Sequence, residues 1–147
     1  MEPERLLDEA GLEILRALEE NARVSFAELA RKIGLSAPAI TDRVRKMEEA
    51  GIISGYHARV DPARTGFPVT AFVRVRAPQH HFPHVITLAR DTPEVRECHH
   101  AAGEDAFVMK MRAQTAEQLD RAVSPFRELG EVHTSVIVST PVEKLAP

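Results

Sequence analysis

Arg43, Arg45 and Lys46 crowd together with Asp42 on one short stretch of the 147-residue sequence. Guanidinium and ammonium groups at this spacing can neutralise phosphate or read the guanine edge in a major groove, and residue type alone does not separate the two roles. Two histidine groups suggest a second chemistry. His80, His81 and His84 stand close in sequence, Cys98, His99 and His100 are consecutive, and His133 is alone. Zinc wants three or four converging nitrogen or sulfur ligands; His80 and His84 stand at His-x-x-x-His spacing, but no Cys-x-x-Cys pair is present to complete such a set. Neighbours on a strand such as His99 and His100 point to opposite faces. No metal and no cofactor are therefore expected. Cys98, the one cysteine, has no adjacent cation to activate it and is expected to be a buried structural thiol. No nucleophile with a base, no Gly-rich phosphate loop and no carboxylate pair stands out, so catalysis is not expected.

The elements that must position the cations can be read from capping residues and apolar spacing. Ser25 and Glu28 stand three apart, the arrangement of a reciprocal capping box that starts a helix. Phe26, Leu29, Ala30 and Ile33 follow at the spacing of one buried helical face, and Gly34 supplies the positive φ that ends it. Ser36 can cap the next helix, with Pro38 in its first turn, where a missing N–H costs nothing. Ile40, Val44 and Met47 form its apolar stripe, and Gly51 closes it. Two helices joined by a tight turn are the helix-turn-helix pattern, whose second helix enters the major groove. Opposite the stripe lie Asp42, Arg45 and Lys46, with Arg43 at the flank. The candidate DNA contacts on this helix are Ser36, Ala37, Pro38, Thr41, Asp42, Arg43, Arg45 and Lys46. Leu7 to Asn21, with Asp8 as cap, reads as a preceding helix whose Leu12, Ile14, Leu15 and Leu18 pack on the two that follow. After Gly51, the alternation of Ile52, Tyr56, Ala58 and Val60 with Ile53, Gly55, His57 and Arg59 predicts a strand pair, the wing of a winged helix.

The formal charge of −3 argues against a protein that coats nucleic acid by bulk charge. Between Leu29 and Met47, however, Arg31, Lys32, Arg43, Arg45 and Lys46 face one anion, Asp42. Basicity is focused on the reading element, as a phosphate-contacting surface requires. No apolar run approaches the roughly 18 residues of a membrane span, and the amino terminus lacks the pattern of a secretory signal. A cytoplasmic protein without a membrane partner is expected.

Asp61 to Pro68 breaks regular structure with two prolines and a glycine. It divides a DNA-binding domain over 1–60 from a second domain over 69–147, with 61–68 as linker. The second domain reads as strand (Val69–Ala77), short helix (Phe82–Asp91), strand (Val95–Ala102), turn (Gly103–Ala106), strand (Phe107–Arg112), helix (Thr115–Leu129, with Pro125 threatening its last turn) and strand (Val132–Ser139). That order is the ferredoxin-like βαββαβ arrangement, so the fold class is α+β. Both helices cover one sheet face. The other carries Phe72, Val108 and Ile137 among Arg74, Arg76, Lys110 and Arg112, too apolar to leave wet. A second copy of the chain would cover it, and a symmetric dimer would present two reading helices to a palindromic site.

Leu29-Ala30, Ile33-Gly34-Leu35-Ser36, Arg43-Val44, Met47-Glu48, Gly51-Ile52-Ile53-Ser54-Gly55-Tyr56 and Glu97-Cys98-His99 followed by Gly103 jointly resemble the Lrp/AsnC, or feast/famine, family of transcription regulators. The resemblance runs from Leu7 to about Lys144. It implies a regulator bound to double-stranded DNA, a homodimer that assembles further into tetramers or octamers, and a small effector, commonly an amino acid, between dimers. The effector positions it implies are Gly103, Glu104, Asp105, Ala106, Thr134 and Val136. Ala106 stands where many members have aspartate, and Val136 where many have threonine. An ammonium group facing that position would lose a charge-assisted contact. A competing resemblance is to sirohaem decarboxylases of the same two-domain plan. Their paired arginines and histidine-tyrosine-asparagine run are absent here, where Ile53-Ser54-Gly55-Tyr56 and Glu104-Asp105-Ala106-Phe107 stand instead.

Overall fold

The computed structural model describes residues 6–143. Its backbone divides into two compact units, the first holding residues up to Arg59 together with Val142 and Glu143, the second Val60–Pro141, so the second unit ends before the limit of 147 expected for it.

The first unit is built on three helices, α1 (Glu9–Glu20), α2 (Phe26–Ile33) and α3 (Ala37–Glu49). Each begins where a side-chain oxygen can take an orphan N–H. Asp8 accepts from Gly11 at 2.9 Å, Ser25 from Glu28 at 3.2 Å and Ser36 from Ala39 at 3.3 Å. Only the serine half of the expected capping box forms among the described residues. Gly34 adopts φ +79°, a left-handed conformation that a side chain would disfavour, and this ends α2 two residues before Ser36 caps α3. Ile14, Leu18, Leu29, Ile40, Val44 and Met47 close into one core. Leu12, expected among the packing positions, is 40% exposed.

The wing takes a different form from the expected one. Residues 54–60 run on as a single exposed arm with no strand pairing, so the expected strand pair of the wing is absent among the described residues. Alternation requires a partner strand and a face to bury, and this arm has neither. It is tethered instead by Tyr56, whose hydroxyl donates to Glu48 at 2.7 Å. The phenol is pushed up to about 12, first by partial burial and then by that carboxylate.

The second unit is a four-stranded antiparallel sheet in the order β2-β3-β1-β4, formed by β1 (Val69–Arg76), β2 (Val95–His100), β3 (Phe107–Ala113) and β4 (Glu131–Val136). Helices α4 (Phe82–Asp91) and α5 (Ala116–Arg127) pack on one face. Ala71, Val73, Val75, Phe107, Met109 and Met111 point toward them and are buried with Val85, Leu119, Val123 and Phe126. Pro125 is accommodated inside the last turn of α5, because the N–H it lacks would only have served one helical bond. At Gly130 a Cβ would sit 2.2 Å from the Arg76 carbonyl oxygen, so only glycine lets the turn into β4 lie against the end of β1. Residues 61–68 belong to this unit and carry a 3₁₀ turn at Ala63–Thr65.

Candidate nucleic-acid interface

The core of the first unit grips α3 from behind. Ile40, Val44 and Met47 are at most 2% exposed, and the opposite side of the helix is left to solvent. Pro38, Thr41 and Arg45 are exposed, while Ala37, Asp42, Arg43 and Lys46 are half-buried. Ser36 is consumed as a cap, and the Thr41 hydroxyl donates to the Ala37 carbonyl at 2.9 Å. All eight DNA-contact candidates thus lie on or just before one helix.

Their charges are already partnered. Arg43 makes a two-pronged contact with Asp8, 2.7 Å on each prong, tying α3 to the cap of α1. The Asp8 carboxyl is held below the ordinary carboxylate range, first by the Arg43 hydrogen bond and then by the Gly11 N–H. Arg43 is therefore a brace between helices. Arg45 reaches Asp42 at 2.9 Å and Glu49 at 3.0 Å, and Lys46 also bonds Asp42. Lys46 first and Arg45 second hold the Asp42 carboxyl below its usual range, so it stays an anion across the neutral and mildly acidic region.

Phosphates arriving on this face must displace Asp42 from its two cations. Asp42→Asn removes the competitor and one like charge from the approach to DNA. The expected result is a rise of about fivefold in affinity for a random duplex, a modest gain because charge pairs at the surface are screened by water and salt. Fluorescence anisotropy at fixed salt checks it, and the ratio of mutant to wild type should stay flat between about pH 5 and 8 because the carboxyl titrates below that window.

The second unit does not gather the expected effector residues into one site within a protomer. Gly103–Ala106 form the loop between β2 and β3, whereas Thr134 and Val136 lie on β4, across β3 and β1 from that loop. Glu104 pairs with Arg76 at 2.6 Å and Asp105 with Arg74 at 3.6 Å, so both carboxylates of the loop are engaged by β1. Ala106 is buried, and Thr134 and Val136 are exposed.

The histidines behave as the strand geometry requires. His100 turns inward and stacks on Phe107 with ring centroids 5.1 Å apart, while His99 turns the other way toward Glu97 at 3.3 Å. Cys98 corrects an expectation: it is exposed. It lies on the helix side of β2, opposite Met109, but β2 is an edge strand that α4 covers poorly. Arg112 departs from the open face as well. It has the right alternation, yet it lines a cavity with Val60, Pro62, Thr65 and Phe67. Folding of the Pro-rich segment back over the sheet end creates this cavity, and no periodicity in the sequence signals it.

A three-helix unit with a capped, solvent-facing second helix of the turn defines a helix-turn-helix DNA-binding protein, here carried with a ferredoxin-like unit. Comparison with known proteins agrees. Residues 7–54 match the winged helix-turn-helix DNA-binding model and residues 70–147 the Lrp/AsnC ligand binding domain. The HTH-type transcriptional regulator LrpC of Bacillus subtilis is 31% identical over 133 residues, covering 90% of this chain and 92% of that protein. The proline dehydrogenase transcriptional activator of Rhodobacter capsulatus is 33% identical, covering 97% of each chain. Among solved structures, B. subtilis LrpC superposes with a TM-score of 0.87 at 30% identity, over 94% of this chain and 99% of that one. A feast or famine regulatory protein from M. tuberculosis complexed with L-methionine gives 0.86 at 28% identity, over 96% and 98%. The chain belongs to the Lrp/AsnC family of transcription regulators. Its relatives are regulators and not enzymes, which leaves the decarboxylase alternative without support.

Proposed function

We propose that this regulator reads its operator through the exposed side of α3, that two copies pair through the open face of the sheet, and that an amino acid bound between protomers adjusts the assembly. The observation that carries the first part is the mounting of α3. Its apolar stripe is sunk in the core and its capped amino-terminal half is free to enter a groove, with Thr41, Arg45 and Lys46 offered outward. Arg43 serves by bracing the helix, and Ser36, Ala37 and Pro38 set where its first turn meets the phosphate backbone.

Support for pairing comes from the sheet. Phe72 is 44% exposed at the middle of the uncovered face, opposite Lys110 on β3 and diagonal to Val108, which pairs with Arg74. The surrounding cations are neutralised within the protomer, Arg74 by Asp105, Arg76 by Glu104 and Glu131, and Lys110 by Glu97. A face whose charges are satisfied internally can meet its own copy without repulsion, and a two-fold axis needs such self-complementarity. Further assembly into tetramers or octamers follows the family pattern.

For the effector, the candidate site is the loop Gly103, Glu104, Asp105 and Ala106 of one protomer completed by Thr134 and Val136 of another. Such a division explains why these residues stay apart in a single chain. The relative from M. tuberculosis was solved with L-methionine, and an α-amino acid fits the polar loop N–H groups and carboxylates here. With Ala106 at the position of the usual aspartate, Glu104 or Asp105 must release its arginine to meet an ammonium group. The test is a thermal-shift panel of the common amino acids on the full chain. A ligand at about 100 times its Kd stabilises by about 2.7 kcal/mol, a rise of about 5–10 °C in Tm for a chain of this size. One or a few members should give it. No shift for any amino acid at millimolar concentration would overturn the effector reading and leave the DNA reading standing.

A further inference from the structure

Arg96 and Arg112, two of the second unit's arginines without a carboxylate partner among the described residues, meet at one cavity. Arg96 and Arg112 line a pocket of about 370 Å³, whose remaining wall includes Val60, Phe67 and Pro93, with Glu94 and Gln118 at one side. That volume lies within the roughly 300–1,000 Å³ range of small-molecule sites. The Arg112 Nε is buried and has no hydrogen-bond partner among the described residues. A buried N–H left unmatched is costly and calls for an explanation.

The nearby carboxylate does not supply one. Glu94 accepts from the Gln118 side chain at 2.8 Å, and Gln118 in turn accepts from the Gln114 N–H at 2.8 Å. Backbone bonding fixes the position of Arg112, whose N–H donates to the Glu94 carbonyl at 2.8 Å. Counting Arg96, Arg112 and Glu94, the pocket carries one net positive charge beside an apolar wall. A planar guanidinium matches a carboxylate edge to edge, and Val60, Phe67 and Pro93 would cover a short hydrocarbon tail. A zwitterion suits this balance poorly, since its ammonium group would face two arginines and a carboxylate already engaged.

We propose that this cavity, formed where the 60–67 segment folds over the end of β2 and β3, is a binding site for a small aliphatic monocarboxylate. It is separate from the amino-acid site between protomers: it lies wholly within one chain, at the end of β3 opposite the 103–106 loop. A ligand here links the segment that follows the DNA-binding unit to the sheet, which gives the regulator a second input of different charge.

The probe is 4-methylpentanoate, titrated calorimetrically into the full chain. Saturable binding is expected, weakened at least tenfold by Arg112→Gln. Val60→Asp, at a position 56% exposed and outside the core, should weaken it similarly by placing a fixed anion at the cavity wall, so the outcome does not hang on one variant folding. L-leucine, with the same branched tail and an added ammonium group, should fail to displace the probe. No saturable binding at about 10 mM, undiminished binding in both variants, or displacement by L-leucine at equal concentration would each overturn the proposal. The thermal response to amino acids should persist in Arg112→Gln. A silent amino-acid panel with probe binding intact would sink the inter-protomer reading alone, and the reverse would sink this one.

Discussion

Arg45→Ala combined with Lys46→Ala should lower affinity for duplex DNA by about 10² or more at ~0.1 M salt and flatten the salt dependence. Each neutralised phosphate contributes about 0.9 to the slope of log K against log salt. With two cations removed from each of two protomers, the slope should therefore fall by about 3.6. The same change frees Asp42 and Glu49, whose carboxylates now hold these cations, so the mutant face repels phosphate as well as failing to attract it. Stability should hardly move. Arg45 is 60% exposed at its side chain, and ion pairs in that setting add little to folding because water and salt screen them. Melting separates loss of fold from loss of DNA contact, and anisotropy at several salt concentrations gives the slope. An unchanged slope would mean that this face of α3 does not meet the backbone. Arg43→Ala should behave differently, because its bidentate partner is Asp8. There the loss is of the brace to α1, with a lower Tm and a smaller change in slope.

That contrast marks what the sequence could and could not convey. Helix limits were legible because their signals are local: a serine or aspartate oxygen one step before an apolar stripe, and a glycine after it. Asp8, Ser25 and Ser36 cap as their positions imply. The strands of the second unit were equally legible, since Ala71, Val73 and Val75 alternate cleanly and are all buried. Where the outcome depends on a partner distant in sequence, the signal is lost. The arm from 54 to 60 alternates like a strand but has no strand to pair with. Cys98 looks like a core residue and sits on an uncovered edge. Arg45 and Lys46 have partners three or four residues away on the same helix, but the partners of Arg43 and Arg76 were hidden for the same reason. Arg43 with Asp8 spans 35 positions and Arg76 with Glu104 spans 28, distances over which no periodicity operates. The cavity at Arg112 requires the 60–67 segment to fold back, and its prolines announce only that regular structure stops.

The open sheet face carries the other large expected effect. Phe72→Asp should turn the protein into a monomer of 16.3 kDa by sedimentation velocity and lower affinity for a palindromic operator by about 10²–10⁴, the advantage that linking two binding modules confers. The substitution leaves the protomer's core alone, because Phe72 faces away from α4 and α5 and its neighbours Ala71 and Val73 are the buried ones. An aspartate there adds one uncompensated anion per copy to a surface whose other charges are balanced in place. At a two-fold interface the two new carboxylates approach each other, and burying unpaired like charges costs several kcal/mol. Phe72→Leu should largely preserve the dimer, since it keeps the apolar area and removes only the ring. Binding to a single half-site should be the same for Phe72→Asp and wild type, which separates lost pairing from a damaged reading helix. A Phe72→Asp protein that sediments as a dimer and binds the operator with full affinity would place the interface on another surface. The neutralised arginines of β1 would then be left as a lattice that only stiffens the sheet.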